Sequence, residues 1–275
     1  MPPIVIAIAI SMKDVLVSFG PPFALAMAAM VLFALAFPPP ITSAALAGGR
    51  MGLRAAVAGM LGLGPANSAG SSVGRVAAIA ELAASLPAIV LAATLAPGVA
   101  ALRLVVGLLF ASMLGRSVIS DSSPIAAHQD AQAATNPWNR LIGTASRFLD
   151  RYLNSIILAA VAAGVIGFLV PDEVVARVLG GSLLYAPVAG VLVGVVTPAK
   201  GGAEVIVAAT LLAKGAGVPA TMALLLSAPL LNAWTFRQLT AALSRRRAVV
   251  VWSAIAVPAA LLGPAAALLP GLQRI

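Results

Sequence analysis

Long apolar runs separated by short breaks of proline, glycine and polar residues extend along most of the chain. The runs cover Val15–Phe37, Met51–Leu63, Val73–Ala84, Pro87–Leu95, Val99–Leu114, Ile156–Val170, Tyr185–Val196, Ala203–Ala213, Pro219–Leu243 and Ala248–Leu269. Several are shorter than the about 20 residues that a helix needs to cross a bilayer. Because non-helical backbone is tolerated at membrane depth only inside protein or beside water, we expect an all-α polytopic membrane protein. The pattern predicts about 8 membrane segments, some of them interrupted or re-entrant.

The composition also favours a membrane protein. Hydrophobic residues fill 61% of the 275 positions and charged residues 9%, whereas about a quarter of a soluble domain is charged. The net charge of +9 comes mostly from basic residues between apolar runs, where such residues anchor a chain on the cytoplasmic side. We therefore expect a multi-pass protein of the bacterial inner membrane, with the lipid bilayer and not nucleic acid as its partner. The apolar stretch Pro3–Ile10 lacks a basic segment before it, so we expect the front of the first membrane segment or an interfacial segment.

The two halves of the chain carry matching glycines and prolines. Gly48-Gly49 matches Gly180-Gly181, Val57–Gly59 matches Val188–Gly190, and Pro65, Pro87 and Pro97 match Pro198, Pro219 and Pro229, at spacings of 131 to 133 residues. This order predicts two repeats of about 100 residues, Val15–Arg116 and Arg147–Arg247, followed by a final span at Ala248–Leu269. The predicted domains are 1–116 for the first membrane repeat, 117–146 for a polar linker and 147–275 for the second repeat with the final span.

The sequence leaves the relative orientation of the repeats open. Basic residues bound both repeats, at Lys13, Arg116, Arg147, Arg151 and Arg245–Arg247. If all of them face the cytoplasm, each repeat crosses the membrane an even number of times and the repeats are parallel. If the interrupted segment crosses the membrane instead of returning to the same side, the repeats are inverted.

The break at Thr197–Glu204 is the strongest candidate for a functional site, because it places charges between apolar runs. Pro198 favours an extended conformation before it, and Gly201 and Gly202 allow the chain to turn. Free backbone N–H groups at the start of the following helix favour an anion or a carboxylate.

Two arrangements of Lys200 and Glu204 are open. They share a face at i,i+4 if one helix contains both; otherwise Lys200 lies in the break and Glu204 in the first turn of the next helix. A charge at the bilayer centre costs about 2.5–3.5 kcal/mol, so we expect a partner, water or a substrate beside it. If the break has no function, we expect Lys200 and Glu204 to neutralise each other as a pair, or the break to be an interfacial loop.

The break at Gly64–Ser72 is the uncharged counterpart in the first half, with an ordinary surface turn as its plainer interpretation. The candidate substrate-binding residues at both breaks and beyond are Asn67, Ser68, Ser71, Ser72, Thr197, Lys200, Gly201, Gly202, Glu204 and Asn232. Glu81 and Glu204 are the candidate coupling residues, because apolar residues flank both. We expect Asn232 either to line the pathway or to satisfy carbonyl groups freed by Pro229. Arg103 and Lys214 are expected to extend to the membrane interface.

The second half resembles a known family. The stretch Ala203–Ala216, with its Lys214-Gly215-Ala216 element, and the later Ser227-Ala228-Pro229-Leu230-Leu231-Asn232 are similar to predicted permeases of the ArsP/YraQ type, which include organoarsenical efflux permeases. The similarity covers most of the second repeat and little of the first, and it implies a transport protein with a site at paired breaks. Many members carry cysteines at the break, whereas this chain has none, so the resemblance does not extend to thiolate binding of a metalloid.

Taken with that resemblance, the residues predict a permease for a small polar or anionic solute, a class that includes metalloid and oxyanion species. No nucleophile–base pair, phosphate-binding loop or cluster of metal ligands is present in the sequence, so we expect no enzyme activity, no cofactor and no metal site on His128. A non-transporting membrane subunit that docks a soluble partner on 117–146 is the alternative. The expected partners are lipid and a small-molecule or ion substrate, with a homo-oligomer left open.

Overall fold

The computed structural model of the protein describes residues 3–36, 57, 59–61, 80–81, 83–117, 137–232 and 245–267. All the regular elements in these ranges are α-helices. They are α1 (Pro3–Ala36), α2 (Leu86–Leu95), α3 (Pro97–Ser117), α4 (Pro137–Leu169), α5 (Asp172–Leu179), α6 (Tyr185–Val196), α7 (Ala203–Ala213), α8 (Val218–Leu231) and α9 (Arg245–Ala267). The predicted first break, Gly64–Ser72, lies outside the described residues.

Helices α1 and α4 are the longest and pack against each other. They have 34 and 33 residues, or about 50 Å at 1.5 Å per residue. Within the described residues, Ile4–Ala36 and Leu141–Leu169 are the two stretches long and apolar enough to cross a membrane by length and composition. A Cβ at Gly164 would lie 3.1 Å from the carbonyl oxygen of Ile8, so the start of α1 meets the end of α4 and the helices are antiparallel.

Both helices begin earlier in the chain than the apolar runs from which they were predicted. The stretch Pro3–Ile10 belongs to α1, which confirms it as the front of the first long apolar segment. Helix α4 begins at Pro137, inside the predicted linker 117–146. Its first turns are helical but polar, because one face of the helix points away from the protein: Trp138 and Asn139 are exposed. The polar composition of 137–146 therefore reflects an uncovered helix face.

Helices α6 and α7 form a hairpin whose two outer ends lie side by side. With 12 and 11 residues, each is about 17 Å long, roughly half of the about 30 Å hydrocarbon core. Gly217, after α7, donates its N–H to the carbonyl of Leu179 at 2.9 Å. A Cβ at Gly180 would lie 2.6 Å from the carbonyl oxygen of Gly215. The chain thus returns after α7 to the turn that precedes α6.

Helix α8 packs against both α6 and α7 and then against α9. A Cβ at Gly190 would lie 2.1 Å from the carbonyl oxygen of Ala220, and one at Gly194 would lie 2.7 Å from Ser227 Oγ, so α6 and α8 run parallel in close contact. A Cβ at Gly263 would lie 2.4 Å from the carbonyl oxygen of Pro219. The end of α9 therefore meets the start of α8, and these two helices are antiparallel.

Helices α2 and α3 form a second antiparallel pair. A Cβ at Gly107 would lie 2.5 Å from Ala84 Cβ, just before α2. Leu95 and Val99, at the turn between α2 and α3, line a small apolar cavity with Leu212 and Val218. The end of α2 therefore lies beside the start of α8, and α2 is antiparallel to α8.

These contacts give the protein two opposite ends. One end, called the linker face here, holds the end of α3 and the starts of α4 and α9. The other end, called the hairpin face, holds α5, the start of α1, the end of α4, the turn between α2 and α3, the outer ends of the α6–α7 hairpin and the end of α9.

We predict that Gly190→Ala destabilises the protein by about 1–3 kcal/mol, because its methyl group would overlap the backbone of α8. Gly143→Ala is the matched control, since a Cβ at Gly143 meets nothing within 4 Å and alanine favours a helix over glycine by about 1 kcal/mol. Thermal unfolding of the detergent-purified variants measures both. Equal midpoints for the two variants would contradict the close contact between α6 and α8.

Candidate functional site

The α6–α7 hairpin turns at Thr197–Gly202, which we call the hairpin tip. Thr197 adopts an extended conformation with φ −78° and ψ 132°, as expected for the residue before Pro198. Gly201 and Gly202 have φ values of +64° and +91°, which only glycine adopts readily. The sequence-predicted break is therefore confirmed as a reversal of the chain.

The hairpin tip is enclosed by α4 and α2. A Cβ at Gly201 would lie 2.7 Å from the ring of Tyr152, and a Cβ at Gly202 would lie 2.8 Å from Ala88 Cα. Both glycines and Thr197 are buried, and Lys200 is half-buried. The irregular backbone of the tip thus lies within protein, where its polar groups are shielded from the surroundings of the molecule.

A fully buried ion pair lies one turn beyond the tip. Glu204 is in the first turn of α7 and is 0% exposed, and Arg103 of α3 is 2% exposed. Arg103 Nη2 contacts Glu204 Oε1. The carboxylate also lies near the positive end of the α7 helix dipole. This pair joins α3 to the hairpin through opposite charges that are buried from solvent.

The ion pair leaves hydrogen-bonding groups without partners. Within the described residues, nothing bonds to Arg103 Nε, Arg103 Nη1 or Glu204 Oε2, although all three atoms are buried. Ser85 Oγ, at the N-cap of α2, is likewise buried and has no partner there. Because Ala88 of α2 touches Gly202, the N-termini of α2 and α7 lie side by side. Buried polar groups are normally satisfied, so this region has capacity for a further polar group.

The structure overturns the expectation that Arg103 extends to the membrane interface. Helix α3 begins at Pro97, so Arg103 lies six residues inside it and faces α7. The sequence contained one signal for a buried position, because Arg103 lies inside the apolar run Val99–Leu114. The partner was not predictable from spacing, because Glu204 is far away in the sequence. Lys214, by contrast, lies at the end of α7 as expected and contacts Asp172 Oδ1 at 2.5 Å.

The second of the two arrangements for Lys200 and Glu204 is confirmed. Lys200 lies in the hairpin tip, before the N-cap Gly202, and Glu204 lies in the first turn of α7. The charge of Glu204 is balanced by Arg103 rather than by Lys200. The interpretation of a self-neutralising Lys200–Glu204 pair is therefore wrong.

Glu81 lies on another side of the hairpin tip. Tyr152 donates its hydroxyl to Glu81 Oε1 at 2.7 Å, and Arg151 Nη1 lies 2.8 Å from the same oxygen. Arg151 is 48% exposed and Glu81 is 17% exposed. Since Tyr152 also packs on Gly201, the structure brings both candidate coupling carboxylates next to the tip.

The remaining candidates divide into two groups. Asn232 is buried at the C-cap of α8, where its side-chain amide donates to the carbonyls of Ala228 at 3.1 Å and Pro229 at 3.3 Å. It thus caps the end of the helix, a role close to one of the two expected for it. Asn67, Ser68, Ser71 and Ser72 lie outside the described residues, so their part in the site stays a prediction.

Comparison with known families identifies the class of protein. A family model described as ArsP_1, predicted permease, matches residues 69–267, which is more than half of the chain. The chain belongs to this predicted permease family. Neither a curated protein nor a solved structure gave a significant match. The matched range contains α2 to α9, including the whole hairpin tip and both members of the buried ion pair. The permease is a helical membrane protein, and its family supports a transporter rather than an enzyme.

We predict that Arg103→Gln destabilises the permease by about 3–5 kcal/mol, because Glu204 would remain buried without a countercharge. The double variant Arg103→Gln/Glu204→Gln removes both charges and should recover most of this loss. Lys214→Gln, in the partly exposed pair with Asp172, should cost at most about 1 kcal/mol. Thermal unfolding in detergent tests the series. A double variant no more stable than Arg103→Gln would argue against coupling of the two charges.

Proposed function

We propose that this permease carries a small polar or anionic solute across the bacterial inner membrane, past the hairpin tip. The observation that carries the proposal is the buried Arg103–Glu204 pair, which has unsatisfied polar atoms beside a reversal of the chain. A charged pair at membrane depth is costly and typically marks an ion or substrate pathway. Metalloid and other oxyanion species fall within the proposed class of solute.

The proposed binding groups are those of the two breaks. Lys200 and the backbone amides of Gly201 and Gly202 attract the solute, and Thr197 and Asn232 provide polar groups nearby. From the first break, Asn67, Ser68, Ser71 and Ser72 contribute hydroxyl and amide groups. Glu81 and Glu204 couple solute movement to protons.

We further propose that the permease consists of two inverted repeats. The counterparts α1 and α4 start 134 positions apart and are antiparallel, and α2 and α8 start 132 positions apart and are antiparallel. Both α2 and α8 carry a proline as their second residue. Helix α9 then belongs to the second repeat as the counterpart of α3, so each repeat crosses the membrane three times. An odd number of crossings inverts the second repeat relative to the first.

The charge distribution supports an orientation for this arrangement. The linker face carries Arg245 and Arg246 at the start of α9, and Arg147 lies in the first half of α4, toward the same face. Under the positive-inside rule this face is cytoplasmic. The α6–α7 hairpin then enters from the opposite face and returns to it, which makes it a re-entrant segment.

Cysteine labelling tests this topology, and the absence of cysteine from the chain makes every single-cysteine variant unambiguous. We expect Ser182→Cys and Ala213→Cys, at the two outer ends of the hairpin, to react with a membrane-impermeant maleimide from the same side. Asn139→Cys, at the start of α4, is expected to react from the other side. Labelling of positions 182 and 213 from opposite sides would mean that the hairpin crosses the membrane.

Solute flux into proteoliposomes tests the transport function. We expect the purified permease to pass a small oxyanion, and Lys200→Ala and Glu204→Gln each to reduce the initial rate by about tenfold or more, because each removes a charged group. Asp172→Asn, at the hairpin face, is the control and should keep the rate. Unaltered flux in both tip variants at normal protein levels would refute the assignment. A wild-type protein that passes no solute would instead favour the non-transporting subunit that docks a partner on 117–146.

A further inference from the structure

The buried ion pair combines two properties that do not fit a purely structural contact. Arg103 is one of the best hydrogen-bond donors in a protein, with five N–H groups in a planar fork suited to two-oxygen anions. Only Nη2 meets the carboxylate of Glu204, while Nε and Nη1 are buried without partners in the described residues. A structural pair would be expected to use the fork more completely, because unsatisfied buried donors are costly.

The surroundings of the pair add further groups of the same kind. Ser85 Oγ is buried without a partner in the described residues, at the N-terminus of α2. The N-terminus of α7 lies beside it, since Gly202 touches Ala88. Helix N-termini favour negative charge, so both ends and the guanidinium favour the same kind of ligand. Glu204 is the carboxylate that contacts Arg103 there, while Glu81 contacts Tyr152 and Arg151.

We propose that Arg103 is the anion-binding residue of the permease, and that the oxyanion of the solute takes the place of Glu204, which then accepts a proton. This deepens the proposed transport function and depends on it. In the resting permease, the carboxylate of Glu204 is bound to the guanidinium of Arg103. The solute presents two oxygens to the arginine fork, and its third polar group faces Ser85 Oγ.

The uptake of a proton by Glu204 follows from charge balance in the site. The pair is neutral, and an entering monoanion would leave one uncompensated negative charge in a water-poor site. One proton taken up by Glu204 from the cytoplasmic solution restores neutrality, so the occupied site holds protonated Glu204, charged Arg103 and the anion. No bond other than the O–H bond of Glu204 is formed, and no redox step is needed.

Among the residues that the structure describes, few other ionisable groups lie near this site. Helices α2 and α8 contain no ionisable side chain. Helix α4 contributes Tyr152, which donates to Glu81, and Arg151, which contacts the same carboxylate. Lys200 lies in the hairpin tip. Since Glu81 already has two partners and is partly exposed, Glu204 is the carboxylate that an anion at Arg103 affects most directly.

Isothermal titration calorimetry of the purified permease tests the proposal, with methanesulfonate and nitrate as probes, because both are monoanions with three oxygens at neutral pH. Titrations in buffers with different ionisation enthalpies give the number of protons exchanged. We expect the wild-type permease to bind one of the probes and to take up about one proton per bound anion, as neutrality in a low-dielectric site requires. The Glu204→Gln variant should bind the same probe at least as tightly and take up no proton.

The neutral variant Arg103→Gln/Glu204→Gln keeps the site uncharged and should bind about 10–100-fold more weakly, because the charged hydrogen bonds are lost. The matched control is Lys214→Gln/Asp172→Asn, which neutralises the other pair between helices at the hairpin face and should retain both binding and proton uptake. Binding without proton uptake, wild-type affinity in the neutral variant, or no binding of either probe by the wild-type protein would each overturn the proposal.

Flux measurements separate this proposal from the transport function. If the neutral variant at Arg103 and Glu204 still passes solute at the wild-type rate in proteoliposomes, the permease transports but Arg103 is not its anion ligand. If the wild-type protein passes no solute, transport itself fails.

Discussion

At Gly201 and Gly202 the backbone reverses inside the molecule, and the neighbouring helices are placed so that they enclose this reversal. Backbone amide groups at such a reversal lack the hydrogen bonds of a helix, so the packing around them matters. Tyr152 of α4 covers one glycine, and Ala88 of α2 covers the other. The arms of the hairpin are held apart by α8, which approaches α6 closely where glycine meets backbone. The buried ion pair then joins α3 to the same region, so α2, α3 and α4 converge on one turn.

Much of the second half was predictable from local signals. Helices α6 and α7 have the predicted bounds, because Pro198 ends one helix and two glycines precede the next. The start of α4 was not predictable from composition, since an uncovered polar helix face has the same residues as a linker. The partner of Glu204 could not be found from sequence, because i,i+4 rules describe contacts within one helix and Arg103 reaches it from another.

The directions in which the helices pack show a different limit of sequence. Basic residues in the sequence do not tell which helix ends meet. Glycine contacts between distant helices supply that information: the start of α1 meets the end of α4, and the end of α9 meets the start of α8. Direction of packing is a three-dimensional property, and an Ala-rich helix fits either direction equally well.

Asp172 and Lys214 link α5 to the outer end of the hairpin, while the buried Arg103–Glu204 pair links α3 to the first turn of α7, just after the tip. Helix α7 is therefore held by an ion pair at each end, one partly exposed and one buried. Salt screens exposed charges strongly and buried pairs much less. Raised ionic strength would therefore loosen the outer end of α7 before the end at the tip.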